Sequence, residues 1–180
     1  MLNLIIPGDE FFDETEETFH TVGDVELVLE HSLISLSKWE SWVKRPFLSK
    51  DKKSPHEIRL YITAMIISDN YPPDVVSRLS RENMEAINAY IDSTESATTF
   101  GHMPEVKGRG ETVTSELIYY WMVMFNIPFE CQTWHLNRLF SLIRICNLKN
   151  SKPKKLSRHE LAARNHALNE KRRAELNTSG

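Results

Sequence analysis

The stretch that most constrains the fold runs from Glu116 to Asn150, ELIYYWMVMFNIPFECQTWHLNRLFSLIRICNLKN. Its apolar residues recur at helical spacing on both sides of Pro128, so it reads as two helices. The first spans about Thr114 to Phe125 and carries Leu117, Ile118, Tyr120, Trp121 and Met124. The second starts near Pro128, whose ring presets φ and whose missing N–H would be unpaired in a first turn anyway. It continues through Trp134, Leu136, Leu139, Phe140, Leu142, Ile143, Ile145 and Cys146. Apolar side chains fall nearly all round it, the mark of a buried helix. Trp134, at its most apolar part, is expected to be buried.

Between Trp134 and Cys146 the polar residues are His135, Asn137, Arg138, Ser141 and Arg144. Asn137, Ser141 and Arg144 share one helix face, with His135 and Arg138 beside it. A charge on so apolar a helix must reach water, a carboxylate or a partner chain. The arginines either pair within the fold or snorkel to solvent, or His135, Asn137, Arg138 and Arg144 line a protein-binding surface. Cys131 and His135 have the i, i+4 spacing that can chelate a metal on a helix. No CxxC or HxxxH completes a set, so no metal site is expected. Cys131 and Cys146 lie too far apart along one helix to bond and read as core cysteines.

The rest of the chain supplies a small β element and further helices. Leu2–Ile6 is a short apolar run closed by Pro7-Gly8. Thr18–Val22 and Val25–Glu30 flank Gly23-Asp24, a spacing that predicts a hairpin with a two-residue loop. From Ser32 the period changes, and Leu33, Leu36, Trp39 and Val43 mark a helix that Pro46 stops. Ser54-Pro55-His56-Glu57 is a capping box with proline at the first position, followed by a stripe of Ile58, Tyr61, Ile62, Met65 and Ile66. Asp74–Leu79 reads as a short helical turn. Ser80 caps a helix with Met84, Ile87, Tyr90 and Ile91 on one side. Ser93–Glu111 has no apolar period and reads as a mobile loop. Its Gly108-Arg109-Gly110 lacks the spacing and Lys-Ser/Thr ending of a phosphate loop. Ser157-Arg158-His159-Glu160 is another capping box, opening a helix with a thin apolar stripe.

The predicted fold class is mainly α (α+β): a helical domain with a small N-terminal β-hairpin, five to seven helices and a basic C-terminal helix. The boundaries are an acidic β element at 1–32, a helical body at 33–150 and a basic helical arm at 151–180. Residues 1–30 hold nine acidic side chains and no Lys or Arg, whereas residues 151–180 hold eight Lys or Arg against three Glu. Opposite ends of this kind can attract each other within a chain or in a head-to-tail homo-oligomer. The longest strongly apolar run, Leu117–Phe125, is too short to span a bilayer. The N-terminus lacks the basic flank of a signal peptide. A cytosolic location is expected. No nucleophile elbow, HExxH or glycine-rich nucleotide motif is present, so no catalytic residue and no cofactor are assigned.

Several blocks together carry a family resemblance: LEHSLISLSKWESW at 29–42, PFLSK at 46–50, ATTF at 97–100, TSELIYYWM at 114–122, IPFECQTWHLNRLFSLIRICN at 127–147 and the ending LSRHELAARNHALNEKRRAELNTSG. From about residue 25 onward the chain resembles the tail assembly chaperones of long-tailed phages (siphophages). The resemblance implies a non-catalytic assembly factor in the cytoplasm of an infected bacterium, absent from the mature virion. It implies binding to the tape measure protein and help in recruiting tail tube protein. In that role His135, Asn137, Arg138 and Arg144 on the body, and Arg158, Arg164, Arg172 and Arg173 on the arm, are the candidate protein contacts. The alternative is a nucleic-acid-associated helical phage protein acting through its basic C-terminal arm. Against it, the basic residues are confined to one tail and the chain carries a net charge of −3.

Overall fold

The computed structural model describes residues 1–13, 18–98, 112–150 and 158–176. The hairpin tip, most of the loop expected to be mobile, the basic connector and the Ser157 cap lie outside them. The described residues form four strands and six α-helices: β1 Leu2–Ile6, β2 Asp9–Asp13, β3 Thr18–Val22, β4 Val25–Leu29, α1 Leu33–Val43, α2 Pro55–Met65, α3 Arg81–Asp92, α4 Ser115–Met124, α5 Leu136–Asn150 and α6 Arg158–Leu176. Two 3-10 turns, Val75–Arg78 and Phe129–Thr133, join them. The chain is mainly helical with a small β element, and it forms two compact units, Met1–Asn147 and Leu148–Gly180.

The β element is a jointed antiparallel ribbon. β1 pairs with β4 (Leu2 opposite Leu29) and β2 with β3 (Asp9 opposite Val22). In both ladders the partners' numbers sum to 31, so one register runs through both. This corrects the expected loop at Gly23-Asp24. β3 and β4 are successive stretches of one arm, and Gly23-Asp24 faces Pro7-Gly8 at the joint. Pro7 has no N–H to donate to a ladder, and the Gly8 N–H is taken by Asp24 Oδ1 at 2.7 Å.

The helices start where local chemistry puts them. Ser32, Ser54, Ser80 and Thr114 each accept a backbone N–H of the first turn of α1, α2, α3 and α4. At α2 the reciprocal bond is also made, with Glu57 accepting the Ser54 N–H at 2.7 Å. That contact, the Ser54 hydroxyl and the nearby Arg45 hold the Glu57 carboxyl below its usual range. The α1 helix ends on Lys44 in the left-handed region, its N–H returning to the Glu40 carbonyl.

Two apolar clusters share α1. Trp39 packs with Leu4, Ile6, Leu27 and Leu29 of the ribbon, Tyr61, Ile62 and Met65 of α2, and Ile87 of α3. Leu33 and Leu36 pack with Ile118 and Met122 of α4 and Leu136, Leu139 and Ile143 of α5. Phe47 touches both clusters, stacked on Tyr61 with ring centroids 3.8 Å apart. Glu40 is buried on the same helix, and its two oxygens accept the Phe47 N–H at 2.9 Å and the Ser115 N–H at 2.7 Å. One carboxylate thus ties α1 to the chain that leaves it and to the first turn of α4. Glu40→Gln keeps the volume but loses one acceptor and the charge, and should cost about 1–2 kcal/mol in urea unfolding. An unchanged midpoint would show that the two N–H groups find other acceptors.

The long second helix expected from Pro128 is broken. Residues 129–133 form a 3-10 turn, Trp134 is extended, and α5 begins only at Leu136. The cause is a tertiary contact: Ser32 and His135 form an isolated antiparallel bridge, and the Leu136 N–H donates to the His31 carbonyl at 2.7 Å. Cys131 and His135 therefore do not sit one helical turn apart. Trp134 is half-buried rather than enclosed, for one face of its indole carries the Arg138 guanidinium at 4.1 Å. The α2 stripe is shifted as well: Tyr61, Ile62, Ala64 and Met65 are buried, whereas Ile58 is 39% exposed.

In the second unit, α6 is solvated along residues 162–176 and carries i, i+4 pairs between His166 and Glu170 and between Lys171 and Glu175. No helix among the described residues is long and apolar enough to cross a membrane.

Candidate functional site

Where the two apolar clusters meet, the chain buries a set of polar rings. His31 follows β4 and its last residues, and His135 closes the bridge to Ser32, so the backbone brings the two imidazoles together. Their centroids lie 5.0 Å apart, edge to face, and both residues are buried. Tyr61 Oη stands 2.6 Å from His31 Nδ1. His135 Nε2 donates to the Tyr90 carbonyl at 3.0 Å, and its Nδ1 accepts the Asn137 N–H at 3.3 Å. These two bonds require the neutral ring with its proton on Nε2. The Tyr90 hydroxyl donates to Glu30 Oε1 at 2.6 Å.

Burial, and then the neighbouring His135, lowers the His31 pKa to about 4. Burial also raises the Tyr61 phenol, with Glu40 adding to it, and the Tyr90 phenol, with Glu30 adding to it. At neutral pH the His31, Tyr61 and Tyr90 rings are therefore neutral. Sequence reasoning missed His31, Tyr61, Tyr90 and Glu30. Their association rests on contacts 30 to 60 residues apart in the chain, for which no local spacing is a signal.

The candidate contact residues separate by role. His135 serves the seam. Asn137 Nδ2 donates to the Ile91 and Ser93 carbonyls at 3.0 and 2.7 Å, closing the C-terminal end of α3. Both are engaged inside the unit. Arg138 is exposed and laid over Trp134, while Arg144 is half-buried on α5. Arg158, Arg164, Arg172 and Arg173 all lie exposed on α6. The structure thus leaves Arg138 and the α6 arginines on solvent-facing positions.

A second feature was not foreseen. Tyr120 and Met124, two of the apolar residues of α4, point outward, with Val123 between them and Phe129 on the following turn. All four are 54–60% exposed. The helix buries its other side, Ser115, Ile118 and Met122, against α1 and α5. Tyr119 links the two pieces of this surface, its ring 6.3 Å from Phe129 and its hydroxyl bonded to Gln132 at 2.9 Å. A helix that is apolar all round but covered on one side only leaves a face suited to protein contact.

The thiol of Cys131 is pushed up by burial and by Glu130, away from a reactive thiolate. Both cysteines are free, and no three metal-ligating side chains gather among the described residues. The described residues form a helical protein with an acidic β-ribbon, a buried polar seam and an open apolar helix face. No protein family model, curated protein or solved structure matches the chain.

Proposed function

We propose that this protein is a non-catalytic tail assembly chaperone of a long-tailed phage. It binds the tape measure protein and helps recruit tail tube protein during morphogenesis in the host cytoplasm, and it leaves before the virion is complete. The observation that carries the reading is the open face of Tyr120, Val123, Met124 and Phe129. A chaperone for a long helical client needs an apolar strip that takes the non-polar side of a helix, with anchors at i, i+3 and i+4. Tyr120, Val123 and Met124 have that spacing. The resemblance of the 29–42, 114–122 and 127–147 blocks supplies the biological setting, and Arg138 and the α6 arginines are exposed cations available to a client.

The test is co-purification of the full chain with the tape measure protein. Tyr120→Asp combined with Met124→Asp should reduce retention of the client at least about tenfold, since exposed anchors carry binding rather than folding. Thermal unfolding of that variant should match the parent. Deleting residues 153–180 should leave the 1–147 unit folded and weaken client retention. Full retention by the double variant would remove the proposed face.

Nucleic-acid binding through α6 is the competing reading. The arginines of this helix share it with Glu170 and Glu175, both engaged by neighbours one turn away. Tight duplex DNA binding that falls steeply with salt would favour that reading over the chaperone.

A further inference from the structure

The first turns of α2, the 3-10 turn Val75–Arg78 and the start of α3 enclose a groove of about 290 Å³. Its floor is apolar: Pro55, Ile58, Val76, Leu79 and Met84. Its charged lining is Lys53 and Arg59, with no carboxylate. The surrounding sequence is basic, for residues 44–59 hold six Lys or Arg against only Asp51 and Glu57. Arg45 engages both of those carboxylates, at 4.0 and 2.8 Å. A groove with a greasy floor and a cationic rim selects a bulky apolar side chain flanked by carboxylates.

We infer that this groove is the docking site for the acidic β-ribbon of a second copy of the chain. Residues 1–30 carry nine carboxylates and no Lys or Arg, the strongest single-sign charge in the sequence. Within that stretch β2 reads Asp9-Glu10-Phe11-Phe12-Asp13. In sequence its two aromatics stand between acids. In the single chain the groove stays open, with Ile58 39% exposed on its floor. The ribbon's joint is anchored beside it, since Arg78 Nη2 donates to the Pro7 carbonyl at 2.6 Å. Ribbon to groove is a contact between unlike surfaces, so two copies either exchange ribbons reciprocally or chain head to tail.

The experiment is analytical ultracentrifugation of the 180-residue chain across concentration and salt. The parent should self-associate at low salt and weaken as salt rises, because Arg59 is exposed and Lys53 partly so. Lys53→Glu with Arg59→Glu should weaken that association roughly tenfold or more, with unchanged thermal unfolding. Asp9→Lys with Asp13→Lys should weaken it alike, and mixing the two variants should restore a complex through the swapped charges. A parent that stays monomeric at low salt overturns the inference, and so does association that the Lys53 and Arg59 reversals leave intact. Monomeric protein that binds a free peptide spanning residues 9–13 would also overturn it, transferring the groove to a foreign acidic segment.

Discussion

Trp39→Ala should destabilise the protein by about 3–5 kcal/mol, the range for removing an enclosed indole from a core. Trp39 is 1% exposed and packs ribbon, α2 and α3 against α1. Its Nε1 also donates to the Glu57 carbonyl at 2.7 Å, and Phe47 meets it edge to face at 5.0 Å. Truncation removes all of these at once and opens a void that the ribbon and the helices can only partly fill. Urea unfolding of the full chain measures the loss. A change below about 1 kcal/mol, far under the usual cost of such a void, would mean that the cluster around Trp39 collapses freely. Trp39→Phe, which keeps a ring but loses the N–H bond, should fall between the parent and the alanine variant.

Acidification should weaken the fold through His31 by a comparable amount. Its pKa is about 4 in the fold against 6.5 as a free side chain. The unfolded chain therefore binds a proton that the native chain refuses throughout that window. Stability is whole above pH 6.5, falls as the pH drops from 6.5 towards 4, and loses no more from this residue below that. The full loss is about 3–4 kcal/mol, from the shift multiplied by roughly 1.4 kcal/mol per unit. The physical cause is the seam itself. A proton on His31 would place a charge among Tyr61 and His135 with water excluded. Urea midpoints measured between pH 7 and 4 should decline across the window for the parent and less for His31→Gln, which retains a polar partner for Tyr61. Equal slopes for both proteins would assign the pH dependence to other groups.

The two effects act on the same architecture. Trp39 and the His31 seam occupy successive levels of α1 and the chain leading into it, and each joins elements distant in sequence. Neither interferes with the open face of α4. Variants at Tyr120 and Met124 should therefore alter client binding without the stability losses expected at Trp39, and this separation distinguishes a contact surface from a core.

Much of the secondary structure was legible in the sequence because it is local. Ser32, Ser54, Ser80 and Thr114 each cap a helix whose first-turn N–H lies three residues on, a relation readable from adjacent residues. Ile87 lies on a stripe whose period announces a buried face. The reading failed where a distant strand or helix decided the outcome. β1 chose β4, and the Pro7 joint moved the hairpin's closure away from Gly23-Asp24. The apolar run after Pro128 had the composition of one helix, yet the His31 carbonyl took the Leu136 N–H and broke it at Trp134 and His135.

The candidate site divides in the same way. Its residue types were visible, and the exposed arginines of α6 stand on the helix that the Ser157-Arg158-His159-Glu160 box announced. Which apolar residues of α4 face solvent was not visible, because Tyr119, Met122 and Val123 stand opposite Leu117, Tyr120, Trp121 and Met124 and make that helix apolar nearly all round. A helix with no polar side offers no local sign of which side is covered. By itself the sequence determined where α1, α2, α3 and α4 begin, since a cap and its first turn are neighbours in the chain. Only the tertiary structure decided that α1 and α5 cover Ile118 and Met122 and leave Tyr120, Val123 and Met124 open, because packing depends on which elements meet and not on the pattern within one of them.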